Sequence, residues 1–253
     1  MISIVLIGSG NVAQHLITAF LQSNEIELVQ VFSRQKESVS HLLSSDKIVS
    51  DYLEIKEADV YILAVSDNAI ADVSAKLAFE NRLVVHTSGS MPMEILDNKN
   101  RRGVFYPLQT FTKNKAVDFN EIPICLEAEK ENDFKIIEIV AQSISTVVQS
   151  ISSEQRKALH VAAVFVCNFT NHLYKIGHAI CEENQLSFDL LKPLIQETAQ
   201  KIIELTPQNA QTGPAKRNDT ATINSHLNFL TDENQKAIYK LITKSIIDDG
   251  KKL

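Results

Sequence analysis

One N-terminal segment limits the fold of this chain more than any other, because an almost wholly apolar run leads into two glycines and then into an amphipathic helical pattern. The run Ile2–Ile7 is typical of a β-strand buried on both faces. Gly8 permits a tight turn, Gly10 lets the backbone approach a pyrophosphate at the helix N-terminus, and Ala13 lets helix and strand pack closely. Strand, glycine turn and helix in this order predict a dinucleotide-binding turn. The residues expected to contact the phosphates are Gly8, Ser9, Gly10, Asn11 and Val12.

The end of the second predicted strand indicates which dinucleotide binds. NAD-binding domains usually place Asp or Glu here to hold the ribose hydroxyls, whereas this chain has Ser33 and Arg34. Ser33 can donate a hydrogen bond to a 2′-phosphate, and Arg34 can pair with that phosphate or stack on the adenine. The pair therefore predicts NADP rather than NAD; the alternative is a solvated surface arginine without a ligand.

Polar residues follow two further predicted strands, whose carboxyl ends should line the same cleft. Val65, Ser66 and Asn68 follow the first of these strands and are expected to border the cofactor. Thr87 and Ser88 follow the second and are expected near the nicotinamide. Helix capping is an alternative and compatible role for this region.

The order of predicted elements changes once along the chain. Up to residue 151, short strands rich in Val and Ile alternate with helical stretches, which predicts a doubly wound, mainly parallel sheet of the Rossmann type. From Ser152 onward only helical patterns occur, and Ser152 with Gln155 forms a capping-box sequence. We therefore predict an α/β protein with an NADP-binding Rossmann domain at 1–151 and an all-helical substrate and dimerisation domain at 152–253.

A polar stripe runs along the first predicted helix of the helical half. At about 100° per residue, His160, Asn168 and Asn171 fall on one side of this helix. Most of its remaining surface is apolar, which predicts a buried helix whose polar groups need partners. The stripe can face a ligand, join a structural network between helices, or form an exposed helix edge. The helix is too long and too apolar for a domain of about 100 residues to cover alone, which predicts a homodimer through the helical domain.

Composition excludes several classes of protein. The 25 Lys and Arg against 31 Asp and Glu give a net charge of −6, which predicts no general attraction to nucleic acid or anionic membranes. No apolar run of about 18 residues indicates a membrane span, and no basic residue precedes the N-terminal apolar run as in a signal peptide. The cysteines Cys125, Cys167 and Cys181 form no CxxC pair. We therefore expect reduced thiols, a cytoplasmic location and no metal site.

The segment 211–219 is the second notable feature of the helical half. Lys216 and Arg217 lie beside a Gly-Pro turn and can bind a carboxylate or phosphate. An exposed connector that ends in an N-cap at Asp219 explains the same residues equally well.

Four stretches carry a resemblance to a known family, namely 103–111, 159–165, 168–172 and 211–215. They resemble the bacterial proteins that join a Rossmann-like domain to the domain of unknown function 2520. The resemblance covers essentially the whole chain and implies an NADP-dependent oxidoreductase. More distantly, the architecture is similar to that of pyrroline-5-carboxylate reductase, ketopantoate reductase and 6-phosphogluconate dehydrogenase.

The distant resemblance implies roles for the long helix. Several of those enzymes carry a catalytic Lys and an Asn on one helix face, whereas in this chain His160 stands where the Lys is expected, and Asn168 and Asn171 are the amide candidates. We expect hydride transfer between NADPH and a small carbonyl or imine substrate. In this scheme His160 is the general acid, the two asparagines orient the substrate, and Ser88 lies between substrate and nicotinamide. The alternative is a non-catalytic NADP-binding sensor.

Overall fold

The computed structural model describes residues 1–113 and 115–250. The chain divides into two compact units, of which the first is Met1–Cys167 and the second begins at Asn168. The predicted domain boundary at 151/152 lies where the strands end, whereas the first compact unit continues to Cys167. The functions assigned to the two domains stay predictions.

Eight strands form one sheet in the first unit, and their spatial order is β3-β2-β1-β4-β5-β6-β7-β8. Their bounds are β1 Ile2–Ile7, β2 Ile26–Phe32, β3 Ile48–Val49, β4 Val60–Leu63, β5 Leu83–His86, β6 Arg101–Pro107, β7 Ile124–Ala128 and β8 Val148–Ser150. Neighbouring strands are parallel except for the antiparallel pair β6–β7. Strand β1 lies between β2 and β4, so the winding direction reverses beside it, and ligands bind at such switch points. The predicted Rossmann-type sheet is confirmed.

Nine α-helices occur among the described residues, four in the first unit and five in the second. Their bounds are α1 Asn11–Gln22, α2 Ile70–Lys76, α3 Glu131–Gln142, α4 Ser153–Ala163, α5 Thr170–Glu183, α6 Lys192–Glu204, α7 Pro207–Ala210, α8 Thr220–Phe229 and α9 Glu233–Gly250. Helix α4 begins with the predicted capping box, in which Ser152 and Gln155 exchange side-chain-to-backbone hydrogen bonds of 2.9 and 3.2 Å. The π-helical segment Val164–Phe169 between α4 and α5 was not predicted. The predicted all-helical C-terminal region is confirmed.

Helices cover both faces of the sheet, and successive residues of β1 point to opposite faces. Ile4 and Leu6 pack in a core with residues of α1 and α3, while Val5 and Ile7 pack in a second core with residues of α2. All four side chains are at most 1% exposed. Burial on both faces explains the nearly continuous apolar run at the N-terminus.

The second unit has little core of its own. Among its described residues the buried hydrophobic side chains are Cys181, Ala215 and Ile223, and helices α6 and α9 contain no buried residue. The prediction of a buried helix after residue 152 is wrong for the single chain, since Phe165, Val166 and other apolar side chains of that stretch are more than half exposed.

None of the helices in the described part of the chain is long and apolar enough to cross a membrane. The residues described also include no group of three or more His, Cys, Asp or Glu side chains arranged to hold a metal ion.

The turn after β1 approaches β4 so closely that only glycine fits. Gly8 has a φ of +136°, and a Cβ atom there would lie 2.1 Å from the carbonyl oxygen of Ala64. Gly8→Ala is therefore expected to destabilise the protein by about 2 kcal/mol or more, measured by urea unfolding at fixed protein concentration.

Gly10→Ala is the matched control, since Gly10 has a φ of −73° and a Cβ there would meet no described atom within 4 Å. This variant should lose less than about 1 kcal/mol of stability. Equal losses in the two variants would contradict the steric explanation.

Candidate functional site

A cleft of about 750 Å³ opens in the first unit where β1, β2, β4 and β5 end. Ten of the eleven residues predicted to bind the cofactor line this cleft: Gly8, Ser9, Gly10, Asn11, Val12, Ser33, Arg34, Val65, Ser66 and Thr87. Asn68 is the exception: it lies in the short 3-10 turn Asp67–Ala69, where Ala69 lines the cleft and Asn68 does not. The structure thus brings together residues that are far apart in the sequence.

The N-terminus of α1 fits a bound phosphate group. Gly10 is the N-cap, no side chain of the described residues caps the helix, and its first turn carries no acidic residue. The first N–H groups of a helix have no partner within the helix, and they attract anions. Because the Cα of Gly10 faces open space, a pyrophosphate can approach the backbone there without meeting a side chain.

The loop after β2 is ordered by Ser33. Its buried hydroxyl donates to the carbonyl of Gln35 at 2.7 Å and accepts from the Gln35 N–H at 3.2 Å. This hydroxyl proton is therefore already used within the loop, unlike the free donor that the sequence predicts. Arg34 is exposed beside it and has no hydrogen bond or ion pair with any described residue.

Sequence reasoning missed several further side chains that line the cleft, among them Tyr52, Asp72 and Lys76. The Tyr52 ring stacks on Phe32 with 4.3 Å between the ring centroids, and burial raises the pKa of its hydroxyl while the nearby Arg34 charge opposes that rise. Asp72 and Lys76 lie one helical turn apart on α2 and place one carboxylate and one ammonium in the lining. Their i, i+4 spacing indicates only that they share one face of a helix, so no sequence motif marks them as cleft residues.

The turn after β5 is held by a buried histidine. His86 is fully buried; its Nδ1 accepts from the Ser88 N–H at 3.1 Å and its Nε2 lies 3.3 Å from the Pro92 carbonyl. Burial lowers the pKa of His86 to about 4, so the ring is neutral near pH 7. The Ser88 hydroxyl accepts from the N–H groups of Ser90 and Met91 and thereby stabilises the turn.

His160 lies against this same turn, because its Nδ1 atom and the Tyr106 hydroxyl both approach Gly89. The two atoms are 3.0 Å apart, and a Cβ on Gly89 would be 2.5 Å from Nδ1 and 2.8 Å from the hydroxyl oxygen. Gly89 follows Thr87 of the cleft by two residues. Burial raises the pKa of Tyr106 to about 12, so its hydroxyl keeps its proton near pH 7. No periodic pattern in the sequence identifies Tyr106 as a partner of His160.

A buried ion pair fixes the start of α4, one helical turn before His160. Arg156 is 1% exposed and donates to Glu127 on β7 at 2.6 Å and to the Met91 carbonyl at 2.6 Å. Glu127 also accepts from the Ser153 hydroxyl at 2.7 Å. These bonds join the first turn of α4 to the sheet and to the turn after β5. They thereby fix the position of His160, which lies one turn further along the same helix.

The remaining predicted residues belong to the second unit. Asn168 and Asn171 are exposed, and their part in orienting a substrate stays a prediction. Lys216 and Arg217 are exposed as well, and Asp219 caps α8 by accepting from the Thr222 N–H at 3.1 Å. Anion binding and an exposed connector both stay predictions for segment 211–219.

Comparisons with known proteins agree with this architecture. Residues 3–89 match the family model of the coenzyme F420-dependent NADP oxidoreductases, and residues 122–246 match the model of the domain of unknown function DUF2520. The predicted resemblance to proteins that join these two parts is confirmed. Among proteins with curated descriptions, none matches the chain.

Several solved structures share the fold. A candidate NADP oxidoreductase from Bacteroides fragilis is 41% identical, with 98% of each chain covered and a TM-score of 0.89. A protein from Thermotoga maritima is 23% identical, with 98% of each chain covered and a TM-score of 0.75. A pyrroline-5-carboxylate reductase from Coxiella burnetii is 15% identical, with 99% of this chain and 98% of that chain covered and a TM-score of 0.56. The last two show the fold alone. Because the identity to the Bacteroides fragilis protein extends over nearly the whole length, the chain belongs to that protein's oxidoreductase family, in which an NADP oxidoreductase-type domain precedes DUF2520.

Proposed function

We propose that this protein is an NADP-dependent reductase that transfers a hydride from NADPH to a small carbonyl or imine substrate. The observation that carries the proposal is the cleft at the glycine turn, which adjoins a strand-end turn touched by His160. The structural likeness to a pyrroline-5-carboxylate reductase supports the reaction class, because pyrroline is a cyclic imine. When bound, the nicotinamide supplies the hydride, and the protein orients the substrate and supplies the proton.

The choice of NADP over NAD rests on the charges beside the end of β2. The loop there offers the exposed guanidinium of Arg34 in place of a carboxylate, and Lys76 adds a second cation to the cleft lining against the single carboxylate of Asp72. An arginine can bind the planar array of phosphate oxygens with two hydrogen bonds. The hydrogen bonds of Ser33 to the Gln35 backbone order the loop that carries Arg34.

Arg34→Ala is expected to weaken NADPH binding by one to two orders of magnitude, because one charge-assisted contact with phosphate contributes about 1.5–3 kcal/mol. NADH affinity should barely change. Calorimetric titration with both cofactors measures the difference, and Lys36→Ala, which removes a cation outside the cleft lining, serves as the control. Equal affinities of the unmodified protein for NADPH and NADH would reject the proposed preference.

The proposed reaction assigns a separate role to each predicted catalytic residue. His160 holds the proton that the reduced substrate takes, Ser88 borders the reacting atoms, and Asn168 and Asn171 orient the substrate. The pair of Arg156 and Glu127 positions His160 and does not contact the substrate. The partly exposed His160 ring supports this assignment, since a ligand can reach it.

His160→Gln is expected to leave NADPH affinity unchanged and to lower turnover by about 10²–10⁴-fold, as for loss of a general acid. Consumption of NADPH with a panel of small aldehydes, ketones and cyclic imines measures turnover, and the exposed His41→Gln is the control. Tight NADPH binding by the unmodified protein without turnover of any of these compounds would favour a non-catalytic sensor.

We also propose that the protein is a homodimer joined through its helical half. Of the 20 large hydrophobic residues that are exposed in the described chain, 15 lie between Val161 and Ile242. Exposed apolar surface of this extent on helices with almost no core of their own indicates a protein interface, and a second copy is the partner that is always present.

Sedimentation at micromolar concentration should give about twice the mass of the chain, which is 28.2 kDa. Leu194→Arg, on the exposed surface of α6, should shift the protein toward monomer, because a buried guanidinium without a partner is strongly unfavourable. Leu53→Arg, in the first unit at 82% exposure, is the matched control and should stay dimeric. A monomer in the unmodified protein would reject the dimer.

A cytoplasmic location fits the cysteines. All three are free thiols, with Cys125 and Cys181 buried and Cys167 exposed. Free thiols are typical of reducing compartments.

A further inference from the structure

The hydroxyl of Tyr106 has one hydrogen-bond partner in the part of the chain that the structure describes. It lies 3.0 Å from Nδ1 of His160, and the Tyr106 side chain is only 8% exposed. A phenol always carries a donor proton near neutral pH, and leaving that donor unpaired inside a protein is costly. The hydroxyl therefore donates to Nδ1. An Nδ1 atom that accepts carries no proton, so the neutral ring carries its proton on Nε2.

Gly89 is what allows this pair to form beside the turn after β5. A Cβ atom at position 89 would lie 2.5 Å from Nδ1 of His160 and 2.7 Å from Cζ of Tyr106. Any side chain there would push the imidazole and the phenol away from the strand end. The pair is therefore built against the backbone of a turn that also contributes Thr87 to the cofactor cleft.

The other nitrogen of His160 is available to a ligand. Nε2 makes no hydrogen bond to any of the described residues, and His160 as a residue is partly exposed. Resting on the proposed reductase function, we propose that Tyr106 fixes His160 as an N–H donor at Nε2, so that the site takes a carbonyl substrate rather than a protonated imine. A carbonyl oxygen accepts this hydrogen bond. The N–H of a protonated imine would instead meet a second N–H.

The proton balance of this arrangement closes without a further cofactor. As the hydride reaches the carbonyl carbon, the C=O π bond opens and its oxygen takes the proton of Nε2. The Tyr106 O–H bond then breaks and its proton forms a bond with Nδ1, which is favourable because an alkoxide is a stronger base than a tyrosinate. After product release, Nε2 takes up one proton from bulk solvent and Nδ1 returns its proton to Tyr106, so that the net reaction oxidises NADPH, reduces the carbonyl to an alcohol and consumes one solvent proton. Tyr106 acts through His160 and is a positioning residue.

Nitrogen NMR of the ¹⁵N-labelled full-length protein tests the tautomer without any substrate, and His160→Gln identifies the signals of His160. The expected result is an Nδ1 signal without a bound proton and an Nε2 signal with one. A proton found on Nδ1 of the neutral ring would overturn the proposal. This result is independent of whether the protein is a reductase.

Tyr106→Phe keeps the ring and removes the hydroxyl, so the Nδ1 signal of His160 should shift and the neutral ring should exchange between tautomers. Tyr61→Phe is the matched control, because Tyr61 is also buried and its hydroxyl bonds to Ala58 and Lys56 in another part of the first unit. An unchanged His160 signal in a folded Tyr106→Phe protein would contradict the contact. If that variant does not fold, the spectrum of the unmodified protein still decides.

The substrate class is tested by NADPH consumption with matched aldehydes, ketones and cyclic imines below the pKa of each imine. Carbonyl reduction that falls by up to about tenfold in Tyr106→Phe, with unchanged NADPH affinity, is expected for the loss of one neutral hydrogen bond. Faster reduction of the imines by the unmodified protein would overturn the substrate assignment. If the protein reduces neither carbonyls nor imines, the proposed reductase function is overturned, while the NMR result on the tautomer of His160 still stands.

Discussion

The buried guanidinium of Arg156 joins the first turn of α4 to the carboxyl-terminal half of the sheet, and the placement of His160 depends on it. A cation with 1% exposure is tolerated because Glu127 pairs with it and because the Met91 carbonyl accepts a further hydrogen bond. Removing one partner of such a buried pair typically costs about 3–5 kcal/mol, since the other charge is left uncompensated. The same carboxylate accepts from Ser153, so two residues of one helical turn are fixed by a single acid.

The cleft and the histidine are linked through the turn after β5. Thr87 lines the cleft, and the backbone at Gly89 is approached closely by Tyr106 and His160. The Met91 carbonyl accepts a hydrogen bond from Arg156. One five-residue stretch of backbone therefore connects the cofactor cleft, the imidazole and the start of α4. The Ser88 hydroxyl therefore bonds to the backbone of this same stretch, and a glycine stands where the stretch contacts Tyr106 and His160.

Local sequence patterns predicted the glycine turn, the sheet and the capping box, because each depends on residues that are neighbours in the chain. Gly8 and Ser152 are examples in which the residue type itself favours the local backbone geometry. The pair of Tyr106 and His160 joins residues 54 positions apart, and no periodicity records such a contact. The two-residue strand β3 is too short to show an alternation. The exposure of the long helix was not predicted. An apolar composition indicates that a surface is buried, but it does not indicate whether the same chain or a second chain buries it.

The buried His86 makes the turn after β5 sensitive to acid. Its pKa of about 4 in the folded protein lies below the value of about 6.5 for an exposed histidine. In this range the unfolded chain binds more protons than the folded one, so stability is full above pH 6.5 and declines as the pH falls toward 4. The slope from this group approaches about 1.4 kcal/mol per pH unit. A protonated Nδ1 can no longer accept from the Ser88 N–H, so acidification loosens the backbone against which the cofactor cleft and the imidazole are both built.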